Sequence, residues 1–127
     1  MRILLDTHAL LWFQAGDRRL SKVARQAIEA SDTERLISAA TVWEMAIKVS
    51  LGRLELAQPV DAYITEKIGQ GYRTLAIAWT HAATVEKLPW HHRDPFDRLL
   101  AAQALAERCP LVTRDRVFRR YGVDVLW

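Results

Sequence analysis

Apolar positions along this chain switch repeatedly between strand-like runs and helical spacing, and the switching predicts its elements. Ile3, Leu4 and Leu5 form an unbroken apolar run that reads as a buried strand over residues 2–5. Asp6 then opens a segment in which Ala9, Leu10, Trp12 and Phe13 recur at helical spacing until Gly16. Ser21 has the chemistry of an N-cap for a second helix, KVARQAIEA, with Val23, Ala27 and Ala30 expected on its inner face. Residues 35–38 read as a second strand. A helix over 41–50 follows, with Trp43, Ala46 and Ile47 expected in the core and Gly52 as its stop. Pro59 precedes a helix over 60–69, Gly71 breaks it, residues 72–77 supply a third strand, and WTHAATVEKL reads as the next helix. After the loop PWHHR, DPFDRLLAAQA starts a helix that runs to about Arg108, and residues 111–113 and 123–126 make the fourth and fifth strands.

Strands that alternate with helices predict an α/β layer fold with a central, mainly parallel five-stranded sheet, because parallel neighbours need a crossover and the crossover is usually a helix. In such a sheet the carboxyl ends of the strands share one edge, and ligands bind there, where the strand order reverses. Whatever chemistry the chain carries should therefore lie just after its strands.

Length and composition narrow the picture. The 127 residues, 50% hydrophobic and 26% charged, suit a single domain spanning 1–127. The N-terminal apolar run is broken at once by Asp6 and His8, too early for a secretory or membrane-spanning segment, so no membrane association and a cytoplasmic location are expected. A single cysteine, Cys109, excludes an internal disulfide and a cysteine-based zinc cage, and reads as a small buried thiol before Pro110. A net charge of +3 permits a phosphate-rich partner without demanding one.

The acids change the picture most. Asp6 ends the first strand, Glu44 lies about a turn beyond the second, and Asp115 follows the fourth in VTRD. Each has a local explanation: Asp6 and Asp115 as N-caps, Glu44 as the end of a Thr41-Val42-Trp43-Glu44 capping box or the partner of Lys48. In DPFD, Asp94 before Pro95 suits an N-cap, and Asp97 suits the first turn of the same helix. Taken together, however, acids that follow strands of one parallel sheet project from the same edge. Clustered carboxylates repel one another unless a cation neutralises them, and a hard divalent ion with oxygen ligands is the natural remedy.

The segments LLDTHALLW (4–12), SAATVWEMAIKVSLGRL (38–54), HRDPFDRLLAAQA (92–104) and LVTRD (111–115), with the closing VDVLW, resemble the PIN-domain nucleases, and among them the VapC-type toxins of bacterial toxin–antitoxin pairs. The resemblance implies a PIN-like three-layer sandwich in which strands one and four are neighbours. It also implies that Asp6, Glu44, Asp97 and Asp115 form the catalytic site of an RNA-cleaving hydrolase. Asp6, Asp97 and Asp115 would hold Mg²⁺ or Mn²⁺ or its waters, and Glu44 would orient or deprotonate the attacking water. Thr7 and Thr113 match hydroxyls that bond the carboxylates or a phosphate oxygen, with helix-cap and strand-end roles as the alternative. A homodimer and a cognate antitoxin protein are the implied partners, with RNA as substrate.

Lys48, Arg53, Arg98, Arg114 and Arg116 flank the same segments and read either as phosphate contacts or as solvated charges. His91 and His92 raise metal-free acid–base cleavage, but adjacent loop histidines without an orienting group read as surface residues. His8 is a neighbour of the acids and His81 is expected to be exposed. Trp12 and Trp43 are expected inside, with Trp90 and Trp127 as interface candidates. A phosphatase of the haloacid-dehalogenase type needs an Asp two residues after Asp6, where this chain has His8. The remaining alternative is a catalytically silent PIN-like module that binds RNA or protein.

Overall fold

In the computed structural model, which describes residues 1–127, the first predicted strand is the middle of the sheet. β1 (Arg2–Leu5) has this position because its three apolar residues serve both faces, Ile3 and Leu5 on one side and Leu4 on the other. The order is β3–β2–β1–β4–β5, with β2 (Glu34–Ser38), β3 (Arg73–Leu75), β4 (Leu111–Val112) and β5 (Val125–Leu126), and every neighbouring pair is parallel. The chain leaves β1 toward β2 and later returns to its other side as β4, so the strand order reverses at β1.

Two apolar layers enclose this sheet. On one face Ile3, Leu5, Ile37 and Val112 meet α1 (Thr7–Ala15), α2 (Lys22–Glu29) and α4 (Val60–Gly69) through Leu10, Ile28 and Ile64. On the other, Leu4, Leu36 and Leu111 meet α6 (Pro95–Glu107) through Leu100, Ala101 and Ala104, with Phe118 closing the end. α3 (Ala39–Ser50) and α5 (Trp79–Thr84), with 3-10 turns at Val85–Lys87 and Arg116–Tyr121, complete the chain. The elements match the predicted series, and the sheet is wholly rather than mainly parallel. No helix is long and apolar enough to cross a membrane.

Several inner faces differ from expectation. In α2 the buried stripe is Ala24 and Ile28, continuing Leu20 at steps of four, whereas Val23 is 53% exposed. The stripe begins before the Ser21 cap, and Ile28 has more area to bury than Ala27 or Ala30. α3 starts earlier than predicted because Ser38, not Thr41, is its cap, accepting a hydrogen bond from the Ala40 N–H. Its buried residues are Ala40, Thr41 and Met45, two of them small enough to let the helix sit close to the sheet and α6. Trp43 is left 59% exposed with its edge on Phe96, ring centroids 5.2 Å apart. β3 is shorter than predicted, as befits an edge strand paired on one side only. His81 is buried rather than exposed: its Nδ1 accepts the Ala78 N–H at the start of α5. Trp12 is half-buried, and Trp127 is half-buried against it; Cys109 is buried as expected, and burial pushes its thiol pKa up.

One polar link ties the layers beneath the site. Ser38 Oγ, fully buried, donates to Gln103 Oε1 of α6 at 2.5 Å while accepting from Ala40. Gln103→Leu strands that hydroxyl in a dry interior, and we expect it to cost about 1–3 kcal/mol in urea unfolding. Ser38→Ala combined with Gln103→Leu should cost less than the two single changes summed, because the unpaired groups disappear together.

Candidate active site

The four acids arrive from four separate segments, each placed by ordinary local physics. Asp6 follows β1 and caps α1, its Oδ1 accepting the Ala9 N–H at 2.7 Å. Asp115 follows β4 and caps the 3-10 turn Arg116–Tyr121, with Oδ1 accepting from the Val117 N–H at 2.9 Å. Glu44 stands in the second turn of α3, where Oε1 accepts from Thr7 Oγ1 at 2.5 Å and Oε2 pairs with Lys48 Nζ at 3.0 Å. In DPFD the two acids divide as expected: Asp94 is the N-cap of α6, accepting from the Phe96 N–H at 2.8 Å, and Asp97 is left free by the capping.

All four line one cavity of about 210 Å³ at the carboxyl edge of the sheet, together with Thr7, His8, Lys48, Asp94, Leu100 and Phe118. Capping and site-building are thus not rival explanations, because a cap at the end of a central strand is already at the edge where ligands bind. The electrostatics carry the strain of this arrangement. Burial raises the pKa of Asp6, and Glu44 adds to the rise against the hydrogen bonds from Thr113 and Ala9. Asp97 is pushed up to about 6, first by burial and then by Asp94, with Glu44 and Asp115 adding and His92 opposing. Such shifts mark carboxylates held in a partly buried pocket among other acids, where burial first and the neighbouring charges second disfavour ionisation.

No three of these carboxylates come close enough together to make a ready-built coordination cage. The donor set is nonetheless all oxygen, in a concave and partly buried setting. That suits Mg²⁺ or Mn²⁺, because the smaller hard ions keep several waters and take one or two carboxylates directly.

Around the acids, both threonines have defined tasks. Thr7 holds Glu44, and the fully buried Thr113 bonds Asp6 while its Oγ1 also accepts the Asp115 N–H at 3.1 Å. His8 lines the cavity with its ring stacked on Trp12 at 5.3 Å. Of the candidate phosphate contacts, Lys48 and Arg53 border a second hollow beside the acids, with Arg93, Asp94 and Phe96. Arg114 and Arg116 are exposed on either side of Asp115 and line neither hollow. Arg98 is buried, contrary to either expectation for it. Its guanidinium donates to the carbonyls of Val85, Leu88 and Pro89 and lies 3.8 Å from the Trp90 ring centroid.

His92 is the residue that sequence reasoning passed over. Read as a loop histidine lacking an orienting group, it bonds Asp115 Oδ2 through Nε2 at 2.6 Å and Tyr121 through Nδ1 at 2.9 Å. Its partners lie more than twenty positions away in the chain, so no local spacing signals them. His91 packs its ring edge on Tyr121 and touches no acid.

An all-parallel sheet with acids from four segments converging at its switch point defines an acid-centred α/β protein. Comparison with known proteins narrows the class: the chain matches the PIN domain over residues 3–124. It is 38% identical over 120 residues to Ribonuclease VapC22 of Mycobacterium tuberculosis (strain ATCC 25618 / H37Rv), covering 94% of this chain and 91% of that protein. This chain belongs to the PIN-domain family. Its fold is similar to that in VapBC2 from Rickettsia felis bound to a promoter DNA fragment (TM-score 0.70, 17% identity, 98% of this chain and 97% of the other). VapBC-1 from nontypeable Haemophilus influenzae is similar as well (TM-score 0.68, 19% identity, 98% and 96%).

Proposed function

We propose that the protein is a metal-dependent endoribonuclease, the toxin of a toxin–antitoxin pair, acting in the cytoplasm as a homodimer. The observation that carries the reading is the convergence of Asp6, Glu44, Asp97 and Asp115 on one cavity. The relative named as a ribonuclease supports RNA as substrate, and the fold's likeness to toxin–antitoxin complexes supports a cognate antitoxin as partner. A silent binding module has no use for four acids gathered around one cavity.

Asp6, Asp97 and Asp115 would hold Mg²⁺ or Mn²⁺, directly or through water. When bound, the ion supplies charge neutralisation at the phosphate and a more acidic water. Glu44 then orients and deprotonates the attacking water, its carboxylate aimed by Thr7 on one oxygen and Lys48 on the other. Water attacks phosphorus, the P–O3′ bond breaks, and the leaving oxygen takes a proton from solvent. The products are a 5′-phosphate and a 3′-hydroxyl.

Purified protein incubated with total RNA and Mg²⁺ should yield 5′-phosphate and 3′-hydroxyl ends, and a chelator should remove them. Cyclic phosphate ends that persist in chelator would contradict the reading and favour a histidine route.

A further inference from the structure

Asp115 differs from the other acids in the way it is held. Its Oδ1 is fixed by the Val117 N–H at 2.9 Å, and Oδ2 meets His92 Nε2 at 2.6 Å. The imidazole is itself fixed. Tyr121 Oη lies 2.9 Å from Nδ1, the two rings stack at 5.5 Å with 17° between their planes, and Phe118 packs on the imidazole at 4.7 Å. Only 10% of the His92 side chain is exposed, against 41% for Asp115, so the ring forms a buried backing to a carboxylate that faces the cavity.

The chemistry of the partners assigns the proton. A carboxylate at Oδ2 only accepts, so Nε2 carries hydrogen and donates it, while Nδ1 bonds the Tyr121 hydroxyl, a group able to donate or accept. The loop that bears His92 is anchored by Arg98, which donates to the carbonyls of Val85, Leu88 and Pro89. Tyr121, His92 and Asp115 thus form a relay, rooted in two separate loops, that ends at the cavity.

We propose that His92, oriented by Tyr121, is a positioning residue: it holds the Asp115 carboxylate turned toward the cavity and ready for a divalent cation. The inference rests on the metal-dependent reading given above. Carboxylate and histidine ligands are commonly oriented in this way by an outer hydrogen-bond partner, whose removal costs about 10- to 100-fold in metal affinity or activity.

Three measurements test it. In the metal-free protein, long-range ¹H–¹⁵N NMR should show hydrogen on His92 Nε2 in wild type and in Tyr121→Phe alike, because the Asp115 carboxylate accepts it in both. Titration calorimetry with Mn²⁺ should show His92→Ala binding about 10- to 100-fold more weakly than wild type. His92→Gln, which retains a donor near the Nε2 position, should recover most of the loss, and His91→Ala should bind as wild type. The loss of cleavage in His92→Ala should fall on kcat at saturating Mn²⁺ rather than on KM for RNA. Thermal unfolding in chelator identifies the variants that are folded, and His92→Gln and Tyr121→Phe are the milder changes if His92→Ala is not. The relay is overturned if wild type binds Mn²⁺ and a folded His92→Ala binds it within about twofold, or if His91→Ala loses as much. Wild-type protein that takes up no Mn²⁺ overturns the metal-dependent reading and the relay with it.

Discussion

Asp97→Asn is expected to lower RNA cleavage about a thousandfold while making the metal-free protein more stable at neutral pH. The loss follows from removing one of the charges meant to hold the cation. Asp6→Asn should lose as much, and because Asn caps helices as well as Asp does, α1 should keep its start and the variant its cooperative unfolding. The gain in stability follows from linkage. Asp97 in the folded protein has a pKa of about 6, above its ordinary 3.8, because burial and its acidic neighbours disfavour the charge. Between those values the folded state binds more protons than the unfolded one, so the stability that protonation contributes is present below about pH 4. It is lost as pH rises toward 6. At pH 7 wild type therefore carries a cost of about 1–2 kcal/mol at this position, after allowance for solvent screening, which the neutral amide avoids. Urea unfolding in chelator should show Asp97→Asn ahead at pH 7.5 and level near pH 4. Adding Mn²⁺ at pH 7.5 should stabilise wild type by mass action and Asp97→Asn much less. Full cleavage by both Asn variants would refute the catalytic assignment, and an Asp97→Asn protein less stable at pH 7.5 would refute the electrostatic one.

The fold was legible because its strongest signals are local. RILL followed by Asp6 could be little other than a buried strand running into a capped helix, and DPFD carries its own start signal in Asp94 and Pro95. Three acids placed after strands, Asp6, Glu44 and Asp115, predicted a shared edge, since a parallel sheet leaves one edge for all of them, whereas Asp97, in the first turn of a helix, was joined to them only by the family resemblance. The failures occurred where tertiary packing outweighs residue type. Trp43 has the hydrophobicity of a core residue but sits on the outer face of α3, because the close approach to α6 selects Ala40 and Thr41 for the inside. His92 and Arg98 were misread for the related reason that their partners, Asp115 and Tyr121 for one and the carbonyls of Val85, Leu88 and Pro89 for the other, are set by the fold. Thr7 and Thr113 were singled out by the family resemblance, with cap and strand-end roles as the alternative, and both bond a carboxylate.

Arg98→Ala should be among the most destabilising single changes outside the apolar core. The guanidinium is 3% exposed and has no carboxylate partner. Its charge is met by three backbone carbonyls and the face of Trp90. Truncation removes a charged donor from all three carbonyls, leaves Leu88 O without a partner while Val85 O and Pro89 O keep the Leu88 and His91 N–H groups, and releases Trp90, at a cost of about 3–4 kcal/mol, or a fall of roughly 10–15 °C in Tm. Arg98→Lys should recover less than half, since a single ammonium does not reproduce the planar fork that reaches separate carbonyls. The segment freed is the one that leads into His92 and the Asp94 cap, so Mn²⁺ affinity should fall even at temperatures where the variant remains folded. A phosphate-binding role for Arg98 predicts a different pattern. Stability would be unchanged, RNA binding would weaken, and the dependence of that binding on salt would become shallower by about one ion. The buried role predicts an unaltered salt slope, because Arg98 is already committed to the backbone and releases no counterion when RNA binds.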